Sequence, residues 1–208
     1  VTGFIAGLDF ITEKAIKSAP RLKVISRYGA GYDRVDIDAA TAQSITVTNT
    51  PGVNAQAVGE LAFALLLSAA RRIPCLDTHT RRGKWVRSTG IELKGKTLGI
   101  IGLGAIGKVV SRCGQGFGMK ILAHDPYIDQ NYCQTNNIGI GTYDEIIKNA
   151  NAISLHLPLN ENTRHLIGEE AISKMQPGTI LINTSRGGII DEDAAYKALK
   201  SRHLGGLG

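Results

Sequence analysis

The sequence predicts an α/β protein built on a doubly wound parallel sheet, and three observations carry that prediction. Strand-like and helix-like segments alternate along almost the whole chain, the pattern of βαβ units whose strands run parallel. An apolar strand at 97–101 runs directly into Gly102-Leu103-Gly104-Ala105-Ile106-Gly107, a Gly-x-Gly-x-x-Gly turn that opens a helix. A second strand, 119–124, ends at Asp125, 23 residues after Gly102 and close to the ~20 residues that separate such glycines from an acid in a dinucleotide-binding unit.

The first segment alternates strand 1–7, helix 11–18, strand 22–27, helix 37–43 and strand 45–48. Pro20, Pro51 and the pair Gly29 and Gly31 punctuate it. The loops 28–33 and 49–54 each follow a strand, at the carboxyl end where open α/β sheets bind ligands. From 55 to 70, Val58, Leu61, Ala62, Leu65, Leu66 and Ala69 recur at three- and four-residue steps, which predicts a long helix connecting two domains, 1–54 and 55–208. A basic stretch follows and reads as a solvated helix and loop. Beyond it the second domain runs strand 97–101, helix 105–117, strand 119–124, helix 143–149, strand 152–157, helix 169–174, strand 179–183 and helix 191–200.

The glycines divide the work of holding a dinucleotide. Gly102 takes the backbone angles of the tight turn, Gly104 lets the main chain approach a pyrophosphate, and Gly107 lets helix and strand pack closely. The helix start at Ala105 and Ile106 then presents free N–H groups to the phosphates. A carboxylate at Asp125 accepts from a ribose 2′-hydroxyl and repels a 2′-phosphate, and Pro126-Tyr127-Ile128-Asp129 supplies no Arg to hold one. NAD is therefore expected in preference to NADP.

Composition bounds the other possibilities. Of 208 residues, 43% are hydrophobic and 20% charged, which is ordinary for a globular protein with a sizeable core. The longest apolar stretch, Leu61 to Ala70, is too short to span a bilayer, and no basic-then-apolar segment opens the sequence, so neither a membrane nor a secreted role is expected. Cys75, Cys113 and Cys133 are an odd number without metal-ligand spacing, which fits reduced thiols in the cytoplasm and no metal site. Part of the +6 charge is local, in Arg71, Arg72, Arg81, Arg82, Lys84, Arg87, Lys94 and Lys96. With one Trp and no recognised nucleic-acid module, that bias suits a small anionic ligand better than a nucleic acid.

Four blocks resemble the D-isomer-specific 2-hydroxyacid dehydrogenases, and most closely the phosphoglycerate dehydrogenase branch. They are SRYGAGYDRVD (26–36), TNTPGVNAQAVGELA (48–62), KGKTLGIIGLGAIGK (94–108) with HDP (124–126), and SLHLPLNENTRHLIG (154–168) leading to PGTILINTSRGGIID (177–191). The resemblance implies a Rossmann-type NAD domain joined by long helices to a flavodoxin-like substrate domain, here incomplete. It places Arg186 as the catalytic arginine, where a guanidinium pairs with the substrate carboxylate and polarises the carbonyl. Thr184 and Ser185 are expected as nicotinamide-side contacts. His156, Leu157 and Pro158 are expected as cofactor-pocket wall, with His156 outside the proton transfer, and Thr163 is a further cofactor candidate. Gly29-Ala30-Gly31 resembles the substrate-carboxylate cradle, with Arg27 toward the far end of the substrate and Asn54 beside it.

The implied reaction is NAD-dependent oxidation of a D-2-hydroxyacid, with 3-phosphoglycerate going to 3-phosphohydroxypyruvate as the leading case, the step that opens serine biosynthesis. A glyoxylate, hydroxypyruvate or D-lactate type enzyme is the alternative within the family. A homodimer through the NAD domain, by way of helix 55–70, is also implied. The family's aspartate, catalytic glutamate and proton-donating histidine would follow the closing Leu204-Gly205-Gly206-Leu207-Gly208, and none of them has a match in the sequence. These 208 residues are therefore expected to be a portion of the enzyme, dead by themselves. The competing readings are a short NAD-binding form without turnover and a dinucleotide-sensing corepressor.

Overall fold

The computed structural model describes residues 1–208, which divide into two compact units, Val1–Ala55 and Gln56–Gly208. In the first, β1 (Gly3–Ala6), β2 (Val24–Arg27) and β3 (Thr46–Thr48) pair in parallel in that order. Helices α1 (Glu13–Lys17) and α2 (Ile37–Ala42) make the crossovers. Each starts at a side-chain cap: Thr12 Oγ1 accepts from the N–H of Ala15, and Asp36 Oδ1 from that of Ala39. Their inward faces bury Ile16 and Ala40 against Ala6, Ile11, Ile25, Val35 and Ile45.

The second unit is a six-stranded parallel sheet. Its strands are β4 (Thr97–Ile101), β5 (Lys120–His124), β6 (Gly139–Ile140), β7 (Ala152–Leu155), β8 (Thr179–Asn183) and β9 (Leu204–Leu207), in the order β6-β5-β4-β7-β8-β9. The chain leaves β4 toward one edge and returns to β7 for the other, so the direction of winding reverses between β4 and β7. At such a reversal the crossover helices diverge to opposite faces and leave a crevice at the carboxyl ends of the strands.

Alternating side chains feed two cores. Leu98, Ile100, Ile121, Ile180 and Ile182 face one side, covered by α3 (Ala55–Arg71) and α5 (Ala105–Gly116). Ile101, Ile153, Leu155 and Leu181 face the other, covered by α7 (Tyr143–Asn149), α8 (Glu169–Ser173) and α9 (Glu192–Lys200). Thr142 and Glu145 close a reciprocal capping box at the start of α7, and Asp191 caps α9.

The basic stretch is a solvated helix and then loop, as its charge suggests: α4 (Ile73–Arg81) follows α3 after a single break at Arg72, whose φ of 55° turns the chain out of one helix before Pro74 enters the first turn of the next. The structure adds three elements that the sequence reading lacks: α6 (Gln130–Thr135), which is started by the Asp129 cap, and the strands β6 and β9. β6 is two residues long and β9 reads Leu-Gly-Gly-Leu, so neither shows the β-branched run that marks a strand. The longest helix, α3, has 17 residues, and none is long and apolar enough to cross a membrane.

Candidate functional site

The glycine turn lies at the carboxyl end of β4, beside the reversal point. Gly102 has φ +96°, and a Cβ there would collide with the carbonyl of His156. A Cβ on Gly107 would collide with the carbonyl of Gly102, so turn and helix touch through bare backbone. Both glycines are demanded by the protein's own packing. Gly104 is different: a Cβ there meets nothing within 4 Å. Its smallness serves no internal contact and instead keeps clear the space in front of α5, whose N-cap is this same Gly104 and has no side-chain cap. The uncapped N–H groups and the helix dipole make that space favourable for an anion. The residues present thus fit a dinucleotide pyrophosphate.

Asp125, at the end of β5, ties the neighbouring loops together. Its Oδ2 accepts from the N–H of Leu103 and its Oδ1 from that of Tyr127, each at 2.8 Å. The carboxylate is thereby fixed beside the turn, with lone pairs left for a ribose hydroxyl.

Beyond β7, His156 extends the sheet through its N–H to the carbonyl of Ile101. Its Nε2 lies 2.9 Å from Ser154 Oγ, and its Nδ1 is buried without a partner. Burial pushes its pKa down to about 4, so the ring is neutral at physiological pH. The loop carrying Leu157 and Pro158 is closed by Thr163, whose hydroxyl donates to the carbonyl of Pro158 (2.7 Å) and accepts from the N–H of Asn160 (2.8 Å). Asn160 Oδ1 accepts in turn from Asn162 and Thr163. The Thr163 side chain therefore shapes the loop.

After β8, Asn183 organises the Thr184-Ser185-Arg186 turn. Its Oδ1 accepts from the N–H and the hydroxyl of Ser185, and its Nδ2 donates to the carbonyl of Arg186 at 2.8 Å. Arg186 Nη1 donates to the Ser185 carbonyl at 2.9 Å. Thr184 Oγ1 is buried without a partner. Sequence reasoning passed over Asn183, Asn160 and Ser154. Asn160 and Asn183 each sit two or three residues before polar neighbours, the spacing at which Asn side chains close local turns. Ser154, inside an apolar strand, gave no such signal.

In the N-terminal unit, Arg27 is only 7% exposed. Its Nη1 donates to the carbonyls of Ala6 and Tyr28, both at 3.0 Å, and its Nε is buried without a partner. Gly29 has φ +141°, and a Cβ there would stand 3.9 Å from both terminal guanidinium nitrogens. Gly29 accepts from the N–H of Thr50, and Asn49 Nδ2 donates to the carbonyl of Ala30, so the Gly29-Ala30-Gly31 loop is braced. Asn54 is exposed.

The remaining histidines carry structural bonds or none at the site. His124 Nδ1 meets the Gly141 carbonyl and His203 Nε2 the Ile172 carbonyl. No group of three His, Cys, Asp or Glu side chains could hold a metal ion.

Residues 63–208 match the family described as D-isomer specific 2-hydroxyacid dehydrogenase, NAD binding domain. A glyoxylate reductase of Thermococcus litoralis is 42% identical over 96% of this chain and 63% of its own length. A D-3-phosphoglycerate dehydrogenase of Methanocaldococcus jannaschii is 45% identical over 91% of this chain and 37% of its own. Among solved structures, D-lactate dehydrogenase from Aquifex aeolicus, complexed with NAD and lactic acid, superposes with a TM-score of 0.91 at 33% identity, covering 100% of this chain and 63% of that one. The chain thus spans less than two thirds of the length of these relatives.

Proposed function

Because the chain belongs to the D-isomer specific 2-hydroxyacid dehydrogenase family and carries its NAD-binding domain, we propose that it serves NAD-dependent oxidation of a D-2-hydroxyacid, with 3-phosphoglycerate the favoured substrate. The observation that carries the substrate reading is Arg27, a buried guanidinium whose bonds go only to backbone carbonyls and which has no ion-pair partner. A buried charge without a counter-charge is costly, and an anionic substituent on the substrate, beyond the carboxylate common to all 2-hydroxyacids, offsets that cost.

Gly102, Gly104, Ala105, Ile106 and Gly107 receive the pyrophosphate and Asp125 the adenosine ribose. When bound, NAD supplies the acceptor for the hydride leaving C2. Arg186, held by the Asn183 turn, pairs with the substrate carboxylate and draws electron density toward the C2 oxygen as it becomes a carbonyl. Gly29 shapes the loop, its own N–H donating to the Arg27 carbonyl, while Ala30 and Gly31 offer backbone N–H groups to the substrate, with Asn54 on the substrate side. Leu157, Pro158, Thr163, Thr184 and Ser185 line the cofactor. His156 is not given the proton from the substrate hydroxyl, because a ring held near 4 is a weak base at neutral pH. The working form is read as a cytoplasmic homodimer joined through the NAD domain.

The test is NAD reduction by the full natural protein with 3-phosphoglycerate, D-glycerate and D-lactate, and NADH oxidation with glyoxylate. The phosphorylated substrate is expected to have a kcat/KM about tenfold or more above the others, and Arg27→Ala to abolish that margin. Equal turnover of glyoxylate, unaffected by Arg27→Ala, would favour the activity named for the Thermococcus relative.

A further inference from the structure

His156 is a half-buried titratable side chain, with its Nδ1 fully buried, to which the proposed reaction gives no proton-transfer role. It stands just past β7 on the same side of the sheet as Ser154, since side chains two residues apart share a strand face. Ser154 is 2% exposed and its hydroxyl has one partner, His156 Nε2 at 2.9 Å. On the neighbouring strand, Thr184 follows the pairs Ser154 with Ile182 and Leu155 with Asn183, so it stands at the strand end opposite His156. His156 Nδ1 and Thr184 Oγ1 are both buried and both without a hydrogen-bond partner. Two orphaned polar atoms therefore mark adjoining strand ends, on the edge of the sheet where the glycine turn opens.

Hydrogen-bond accounting selects the tautomer. A neutral imidazole has one N–H and one lone pair. If Nε2 carried the hydrogen, it would donate to Ser154, leaving both the serine hydrogen and the Nδ1 lone pair unmatched. If Ser154 donates to Nε2 instead, the serine is satisfied and a single group, Nδ1–H, is left seeking an acceptor. The second arrangement strands one buried group in place of two, and stranded buried groups are expensive. The doubly protonated ring is disfavoured by the same burial that lowers its pKa.

We propose that Ser154 locks His156 as the Nδ1–H tautomer, so that this N–H and the Thr184 hydroxyl form a donor pair for an oxygen acceptor of the bound dinucleotide. The role of the pair rests on the dinucleotide reading of the site; the tautomer does not. His156 is then a binding residue with a fixed donor, and Ser154 a positioning residue acting through it.

The tautomer is read by nitrogen-15 NMR of the histidine side chains in the full natural chain without cofactor, with His156→Gln identifying the His156 signals. The expected spectrum has hydrogen on Nδ1, and Ser154→Ala moves it toward a mixture of tautomers. Hydrogen on Nε2 in the unsubstituted protein overturns the proposal. NAD titration by calorimetry then compares two variants with matched thermal melts. His156→Asn keeps an amide donor near Nδ1 and is expected to bind like the unsubstituted protein. His156→Gln places its amide near Nε2 and is expected to bind about fivefold more weakly, as is Thr184→Val. Equal affinity across all of these overturns the donor pair. Failure of the unsubstituted protein to bind NAD would overturn the dinucleotide reading and the pair's role with it, while the NMR result would still decide the Ser154 lock.

Discussion

The two units use the same parallel βαβ construction and reach different degrees of enclosure. In the six-stranded sheet, β7 is buried at every position and β4 and β8 at all but one, with cores on both faces. In the three-stranded sheet, the first three residues of β1 are exposed, and seven buried residues make the one core, while Ile5, Leu8 and Phe10 are more than 70% exposed. A parallel sheet gains most when both faces are covered. The turn geometry around Gly102, Asp125 and Asn183 therefore stands on strands that cannot yield easily, whereas within residues 1–208 Arg27 and the Gly29 loop rest on a core of seven residues. Rigid support is what a preorganised cofactor site needs.

Core truncation sharpens that contrast most. Ile153→Ala, in the middle of β7 with no exposed surface, is expected to cost about 4 kcal/mol, because layers on both faces hold the cavity open. Ile25→Ala, equally buried on β2, is expected to cost about 2 kcal/mol in residues 1–208, where the smaller core around it relaxes more easily. Urea unfolding followed unit by unit checks both, and equal losses would break the comparison.

Next is Gly107→Ala, where the new methyl collides with the Gly102 carbonyl. It is expected to destabilise by roughly 3 kcal/mol and to remove NAD binding together with stability. A pH effect of similar size follows from His156. Its folded-state value of about 4 lies below the ordinary 6.5, so the unfolded chain takes up the proton first as pH falls. Stability from this group is complete above pH 6.5 and declines by up to roughly 3 kcal/mol as pH approaches 4. Thermal melts of the protein and of His156→Gln across that window should converge at the acid end.

The smallest expected change in stability is the most diagnostic. Gly104→Ala meets no neighbour and is expected to alter stability by no more than about 0.5 kcal/mol, while weakening NAD binding at least tenfold or so.

The parts of the fold legible in the sequence were those with strong local signals. The glycine turn, the Asp125 spacing and the strands read at 97–101, 152–157 and 179–183 announce themselves, because a buried parallel strand is mostly apolar. Helix α6 did not, since it is six residues long and buries only Cys133. β6 and β9 are strands by pairing with a neighbour, which no local pattern records. At the site, residue types pointed to Asp125 and Arg186, but the groups that hold them in place were not legible. Asn183, Asn160 and Ser154 act through bonds set by turn geometry and sheet register, which exist only once the chain has folded.

The carboxyl edge of the six-stranded sheet is proposed as a preformed NAD site whose selectivity lies in Asp125. Calorimetric titration with NAD and NADP, on the protein and on Asp125→Ser, tests it most directly. NAD is expected to bind at least about tenfold more tightly than NADP, and the substitution to narrow the gap, because it removes both the ribose acceptor and the repulsion of a 2′-phosphate. NADP binding as tightly as NAD, with the ratio unmoved by Asp125→Ser, would contradict it.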